Sequence, residues 1–457
     1  MPLRSRAGTL LLVIGGLALV AWMGYALTYG GASPGRGGGA GPVVEVAVFL
    51  PGREDWLDIR EGVAACRARG LVEDVVEGPG SIEFRTPGQK RAVRLDWVEG
   101  GGVVSTRERV ARLVDRPGPP AAFVGSNNTV LTAALAEALA EAAERRPGRD
   151  EGPVLLVPWA TSVRVDRPGA ASVPLLGLYR GRTFRFCPNN RQEAELVARV
   201  ASDRVGEPGG AMIVVDGNDP YSRDLAEGFE RALEVVAPGA RAVIRRLDLS
   251  GPGSGGLDDR PGPTELAEAE HVWRFVAESP GDGPVWAVLP LQGSPTRRMI
   301  RALVDRSGPI GPRVLDRLQV LCGDGIGRDT LGDLAGRCTL PVWCVSSGTL
   351  PGPGDPGSSQ IPSEIVSALA LLLDRPGEGV PDLAVGLASL DLPADARAAF
   401  GRSLGFDESG ERLAGDLGHV LAILPGRSEV LAFGPVSPDD LGDRPGPQGG
   451  EAALARH

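Results

Sequence analysis

The chain has 457 residues, 42% of them hydrophobic and 23% charged, with a formal net charge of −10 and a single lysine, Lys90. That length can hold two domains with full cores, and an acidic chain without a basic run argues against nucleic-acid binding. The five cysteines are scattered with no C-x-x-C spacing, which argues against zinc or thioredoxin-like chemistry.

Arg4 and Arg6 precede an uncharged run from Ala7 to Leu27. At about 1.5 Å per residue, a helix there would span roughly 30 Å, a bilayer core. The arginines place the N-terminus in the cytoplasm and the rest outside. We read residues 1–29 as a retained anchor, with cleavage after Gly30-Gly-Ala32 as the alternative. Residues 30–42 are Gly-rich and form a linker.

Val43 to Leu50 reads as the first strand, followed by a loop through Trp56 and a helix from Leu57 to Arg69. Gly78-Pro-Gly80 and Thr86-Pro-Gly88 bracket a hairpin-like insertion, and Arg91 to Val98 is the second strand. A helix from Arg107 to Val114, a strand at Ala121–Val124 and a helix from Val130 to Arg145 follow, the last capped by Asn128 or Thr129. Apolar runs then recur at Pro153–Val157, Ala211–Val215, Val285–Leu289, Leu318–Leu321 and Val342–Val345. Helical patterns separate them at Glu193–Arg204, at the run ending on Val236, at Thr264–Ser279 and at Pro295–Arg306. Arg241 to Leu249 is a further strand, and Ile361 to Leu373 is apolar on most sides, a buried helix. Val420–Leu424 and Glu429–Phe433 close the fold, and residues 435–457 read as a disordered tail. Strand–helix alternation of this kind predicts an α/β chain with doubly wound parallel sheets.

Catalysis finds little support. His271, His419 and His457 are the only histidines, and no H-E-x-x-H or phosphate loop occurs. Gly323-Asp-Gly325-Ile-Gly327 departs from the dinucleotide fingerprint. No cofactor or metal is expected, and we read the chain as a non-enzyme. Cys338 and Cys344 can pair in an oxidising compartment, leaving an odd thiol. Asp-Arg-Pro-Gly recurs at Asp115, Asp166, Asp259, Asp374 and Asp443 with irregular spacing, which is turn chemistry.

An ordered set of segments carries a family resemblance. Pro158-Trp-Ala-Thr-Ser162 ends an apolar run, Phe184-Arg-Phe186 leads into a helix, and Asp219-Pro-Tyr221 follows the next strand. Near the end, Phe400-Gly and Phe406-Asp precede Gly410. In this order and spacing the chain resembles the type I periplasmic binding proteins, the leucine/isoleucine/valine-binding and receptor ligand-binding group, from about Val43 to Phe433.

The resemblance implies two lobes, about 43–178 with 346–402 and about 183–345 with 403–434, joined by three crossings. We place these near Leu178–Arg182, Val345–Thr349 and Gly401–Leu404. It implies a small polar, amino-acid-like or amide ligand between the lobes, held by hydroxyls and helix-start N–H groups. The matching positions are Ser126, Asn127 and Thr129 in one loop and Ala160, Thr161 and Ser162 in the next, with helix capping as the alternative role. Tyr221 matches the family's second-lobe aromatic, or is lobe core. Trp56 and Trp159 stack on a ligand or pack beneath it. Amino-acid binders of the family carry a second-lobe acid, but the loop after Val285–Leu289 offers Gln292 instead. Asp219 or Asp324 can substitute; if neither faces the cleft, a non-zwitterionic ligand is expected. The implied partners are an ABC permease or a membrane signalling protein, with the domain outside the cell membrane. A tethered sensor or scaffold that has lost its ligand is the alternative.

Overall fold

The computed structural model describes residues 43–88, 91–126, 128–146, 152–166, 171–249, 260–326, 334, 337–346, 360–374, 381–393, 396, 403–413, 419–425 and 430–433. The expected anchor, linker and tail lie outside these residues. No helix among the described residues is long and apolar enough to cross a membrane.

The first half begins with β1 (Val43–Leu50), α1 (Arg53–Ala68), β2 (Glu73–Glu77), β3 (Ser81–Arg85) and β4 (Ala92–Glu99). It continues through α2 (Val103–Asp115), β5 (Ala122–Val124), α3 (Thr129–Glu144) and β6 (Val154–Val157). A two-strand ribbon, β7 (Arg164–Val165) and β8 (Val173–Pro174), and a 3-10 turn at Leu176–Tyr179 lead to β9 (Thr183–Arg185). One sheet joins these strands in the order β2-β3-β4-β1-β5-β6-β9. Strands β4, β1, β5, β6 and β9 run parallel, while β2 and β3 pair antiparallel with a register shift between Glu73 and Val76, so the expected hairpin insertion extends the sheet.

The second half holds α4 (Asn190–Val205), β10 (Gly210–Asp216), α5 (Pro220–Val236), β11 (Arg241–Leu247) and α6 (Pro263–Glu278). Then come β12 (Val285–Leu289), α7 (Gly293–Asp305), the short α8 (Pro312–Leu315), β13 (Leu318–Cys322) and β14 (Val342–Ser346). The remaining elements are α9 (Gln360–Leu373), α10 (Leu383–Ala388), β15 (Asp391–Leu392), β16 (Leu404–Gly405), β17 (His419–Ile423) and β18 (Leu431–Phe433). The second sheet has the order β11-β10-β12-β13-β14-β17-β18, parallel through β14 and antiparallel beyond it.

Both sheets are covered on both faces, which is why β6, β10, β12 and β13 read as continuous apolar runs and are buried throughout. On the first sheet, one core gathers Trp56, Ile59, Phe84 and Leu369, and the opposite one Phe49, Phe123, Leu139 and Tyr179. On the second, Trp273, Met299 and Leu303 cover one face, while Val197, Phe229 and Trp343 cover the other. Helix α9 returns to the first half and packs on α1. A Cβ at Gly62 would sit 2.7 Å from Pro362 Cβ, so this close helix approach needs glycine.

The sheet change falls somewhat later than the resemblance implied. β9, expected at the start of the second lobe, is hydrogen-bonded to β6 in the first sheet. Helix α4, beginning at Asn190, packs on the second sheet, so the chain crosses at 186–189. Leu404 and Phe406 still belong to the first core, so the last crossing follows them. Cys338 and Cys344 are separate buried thiols: the first donates to Leu340 O at 3.4 Å and the second to Ile326 O at 3.9 Å.

Candidate ligand-binding site

In open α/β sheets the crevice for a ligand opens at the carboxyl ends of strands, where the strand order reverses. That reversal lies between β1 and β5 in the first sheet and between β10 and β12 in the second. The loops after β5, β6, β10 and β13 converge, because side chains from each half bond directly to the other.

In the first half, Asn128 caps α3 by accepting from Val130 N and Leu131 N at 2.8 and 3.1 Å. Ser126 is buried beneath this loop, its Oγ accepting from Asn128 N and its carbonyl from Thr132 Oγ1. Thr129 Oγ1 donates to Ser162 Oγ at 3.2 Å, tying the two predicted loops together. Asn127 lies outside the described residues. Ala160 is packed in the core beneath β6, and Trp56 is buried and stacked on Trp97 with ring centroids 6.3 Å apart. Trp159 is half-buried against the first core.

Arg185, at the end of β9, is fully buried and organises the second loop. Its guanidinium donates to Thr161 O at 2.9 Å and Ser162 O at 2.7 Å, with Glu411 at 3.6 Å from Nε. Asn189 follows as the cap of α4 in a full capping box with Gln192. Asn190 N then donates to Thr161 O, and its side-chain amide donates to Asp224 Oδ2 at 2.8 Å. Asp224 Oδ2 also accepts from Val163 N at 2.8 Å, so one carboxylate of α5 bridges the halves. Arg223 pairs with Asp166 beside it.

The second-half cluster lies at the start of α5. Tyr221 is buried and its hydroxyl donates to Asp324 Oδ1 at 2.8 Å. Asp324 N in turn donates to Glu193 Oε2 at 3.4 Å. Asp219 caps α5 through Tyr221 N, and Gln292, exposed at the start of α7, faces Asp219. The electrostatics follow from burial. Burial first, then the charge of Asp324, pushes Glu193 well above its usual 4.5. Burial also raises Asp324, although part of its surface remains exposed. Burial and the two carboxylates push the Tyr221 hydroxyl well above 10. Asp224 is raised by burial, offset by the bonds from Val163 and Asn190. Among the described residues, no group of three or more His, Cys, Asp or Glu is placed to hold a metal.

Of the predicted residues, the structure therefore joins Thr129, Thr161 and Ser162 on one side and Tyr221 and Asp324 on the other. Asp219 and Gln292 sit together at adjacent helix starts. Arg185, Asn190, Glu193 and Asp224 were not predicted. The Phe-Arg segment signalled the first; the others carry no local mark. A surface groove of about 580 Å³, lined by Glu227, Glu230 and Glu234, lies elsewhere, between the end of α5 and the start of β11.

The fold is shared with solved structures. Over 87% of this chain and 99% of the other, it superposes on a leucine-binding protein from Thermotoga maritima with a TM-score of 0.58 at 15% identity. The fold is that of the type I periplasmic binding proteins. An ABC transporter substrate-binding protein from Desulfitobacterium hafniense, complexed with Leu, gives a TM-score of 0.57 at 18% identity, covering 85% of this chain and all (100%) of its own. A solute-binding protein of an ABC transporter from R. palustris, complexed with 4-hydroxybenzoate, gives 0.58 at 11% identity, covering 86% and 96%. These neighbours are solute-binding proteins. No protein-family model and no curated protein matches the sequence.

Proposed function

We propose that this chain is an extracytoplasmic solute-binding protein that closes two lobes on a small polar solute of amino-acid size, for delivery to an ABC-type permease. The observation that supports the reading is the direct bonding between the halves at strand carboxyl ends, where Asp224 Oδ2 accepts from Val163 N and Asn190 N donates to Thr161 O. The lobes are the two sheets with their helices, and the crossing at 186–189 is one hinge strand between them. The uncharged run at Ala7–Leu27 holds the domain at the outer face of the cell membrane. Thermal unfolding of the full-length protein against amino acids, amides, amines and aromatic acids tests this. A solute at about a hundred times its dissociation constant should stabilise the native state by roughly 2.7 kcal/mol.

A second reading is favoured by one observation: hydroxyls and acids of the site already have partners within the protein, as Thr129 has in Ser162 and Asp224 in Val163 N. A tethered sensor or scaffold that lost its ligand would look this way. No shift with any solute class would select it.

A further inference from the structure

Glu193 is a buried, unsatisfied acid of the site; Asp219 also carries an unsatisfied oxygen, Oδ2. Glu193 stands in the first turn of α4 with no exposed surface, and its Oε1 has no hydrogen-bond partner among the described residues. Its other oxygen reaches only Asp324 N, at 3.4 Å. Burying a carboxylate without donors costs several kcal/mol unless something supplies them. Native structures keep few such groups, and those they keep are often functional. The nearest guanidinium, Arg185, is already bound to two carbonyls and faces Glu411.

Backbone donors at the helix starts are, by contrast, taken, although Arg185 Nε is left without a hydrogen bond, 3.6 Å from Glu411. On α3, Val130 N and Leu131 N bond to the Asn128 side chain. On α4, Arg191 N and Gln192 N bond to Asn189, and Asn190 N to Thr161 O. On α5, Tyr221 N bonds to Asp219. A ligand carboxylate would have to displace these caps, whereas a ligand N–H finds Glu193 Oε1 unpaired beside the Asp324 carboxylate.

We propose that the site takes a net-cationic solute, an amine or guanidine without a carboxylate, whose N–H groups bridge Glu193 Oε1 and Asp324. This rests on the solute-binding reading and narrows its ligand class. Gly323 fixes the approach of the two acids: a Cβ there would come 2.8 Å from the Tyr221 hydroxyl and 3.4 Å from Glu193 Oε2. The charge pattern agrees, since burial raises both acids and the charge of Asp324 raises Glu193 further, toward neutral forms, a shift that a cation would reverse.

The test compares agmatine with arginine, which differs by the carboxylate, and adds putrescine, leucine, acetamide and 4-hydroxybenzoate, using titration calorimetry on the full-length protein. Agmatine or putrescine should bind at least about tenfold tighter than arginine, since an unmet carboxylate costs roughly 1.4 kcal/mol or more. Glu193→Gln should lose at least about tenfold in agmatine affinity while melting no lower than the parent without ligand. If that variant does not fold, the comparison of agmatine with arginine on the parent still decides. Tighter binding of arginine, leucine or 4-hydroxybenzoate would overturn the cation assignment and leave the solute-binding reading standing. Agmatine binding to Glu193→Gln within about threefold of the parent would remove Glu193 from the site. Binding of none of these solutes overturns both.

Discussion

Replacing Arg412 with methionine should be among the most destabilising single changes in the chain. Arg412 and Glu364 are both fully buried, and their bonds are 2.6 and 3.2 Å. The same guanidinium donates to Phe186 O at 2.8 Å and Ser403 O at 2.7 Å. It therefore joins α9 to the crossing after β9 and to the segment before β16. Removing one partner of a buried ion pair costs about 3–5 kcal/mol, because the remaining charge loses its compensation in a low-dielectric site. The two carbonyls add to this, but not by a simple sum. Urea unfolding followed by tryptophan fluorescence measures the loss. The decisive comparison is Arg412→Met with Arg412→Met/Glu364→Gln. If the stranded carboxylate dominates, the double variant recovers at least about 1 kcal/mol of the loss. A single-variant cost below about 1 kcal/mol, or a double variant no better than the single, would refute the reasoning.

Other changes follow from the same geometry. Gly410 has φ of +86°, and a Cβ there would lie 2.0 Å from Thr183 O, so Gly410→Ala should cost at least about 2 kcal/mol by thermal unfolding. Trp56→Ala should cost about 3–5 kcal/mol as a core deletion, while Trp56→Phe keeps whatever solute response the parent shows; a response lost in Trp56→Phe would return this residue to the site. Glu193 has a raised folded-state pKa, so its contribution to stability is fully present below its unfolded value near 4.5 and declines as pH rises through the folded value. Glu193→Gln should therefore gain stability relative to the parent as pH is raised from 4.5. Parallel stability profiles for the two proteins would refute that assignment.

Much of the fold was legible because buried parallel strands and amphipathic helices leave period and composition in the sequence. β1 and β12 fall on the expected residues, Val43–Leu50 and Val285–Leu289, and Asn128 is the cap of α3 as expected. Helix ends ran longer than read, as at α4, where Asn189 builds its capping box four residues ahead of Glu193, the first periodic residue. The crossings were less legible. Thr183–Arg185 is short, with Phe184 its one apolar residue, and nothing local says whether its hydrogen bonds go back to β6 or on to the next sheet. Pairing is a tertiary fact, decided here by the parallel register with Leu155–Val157.

The site was legible where its residues occupy loops and hidden where they occupy helices. Thr129, Ser162 and Asp324 stand in short polar stretches after apolar runs, which is where sheets of this class present ligand groups. Glu193 sits in a helix between Gln192 and Ala194, where a solvated glutamate is the ordinary reading, and only packing against the second sheet shows it sealed from water. Asp224 reads the same way within α5, yet its Oδ2 carries the bond to Val163 that ties the halves. Both acids break the rule that helices of a globular protein turn their charges outward. A chain tolerates such departures where something is gained from them. The gain at Asp224 is visible as a bridge between the halves. At Glu193 no group among the described residues supplies it, so the missing partner of Oε1 is the strongest reason to seek a ligand rather than a structural role there.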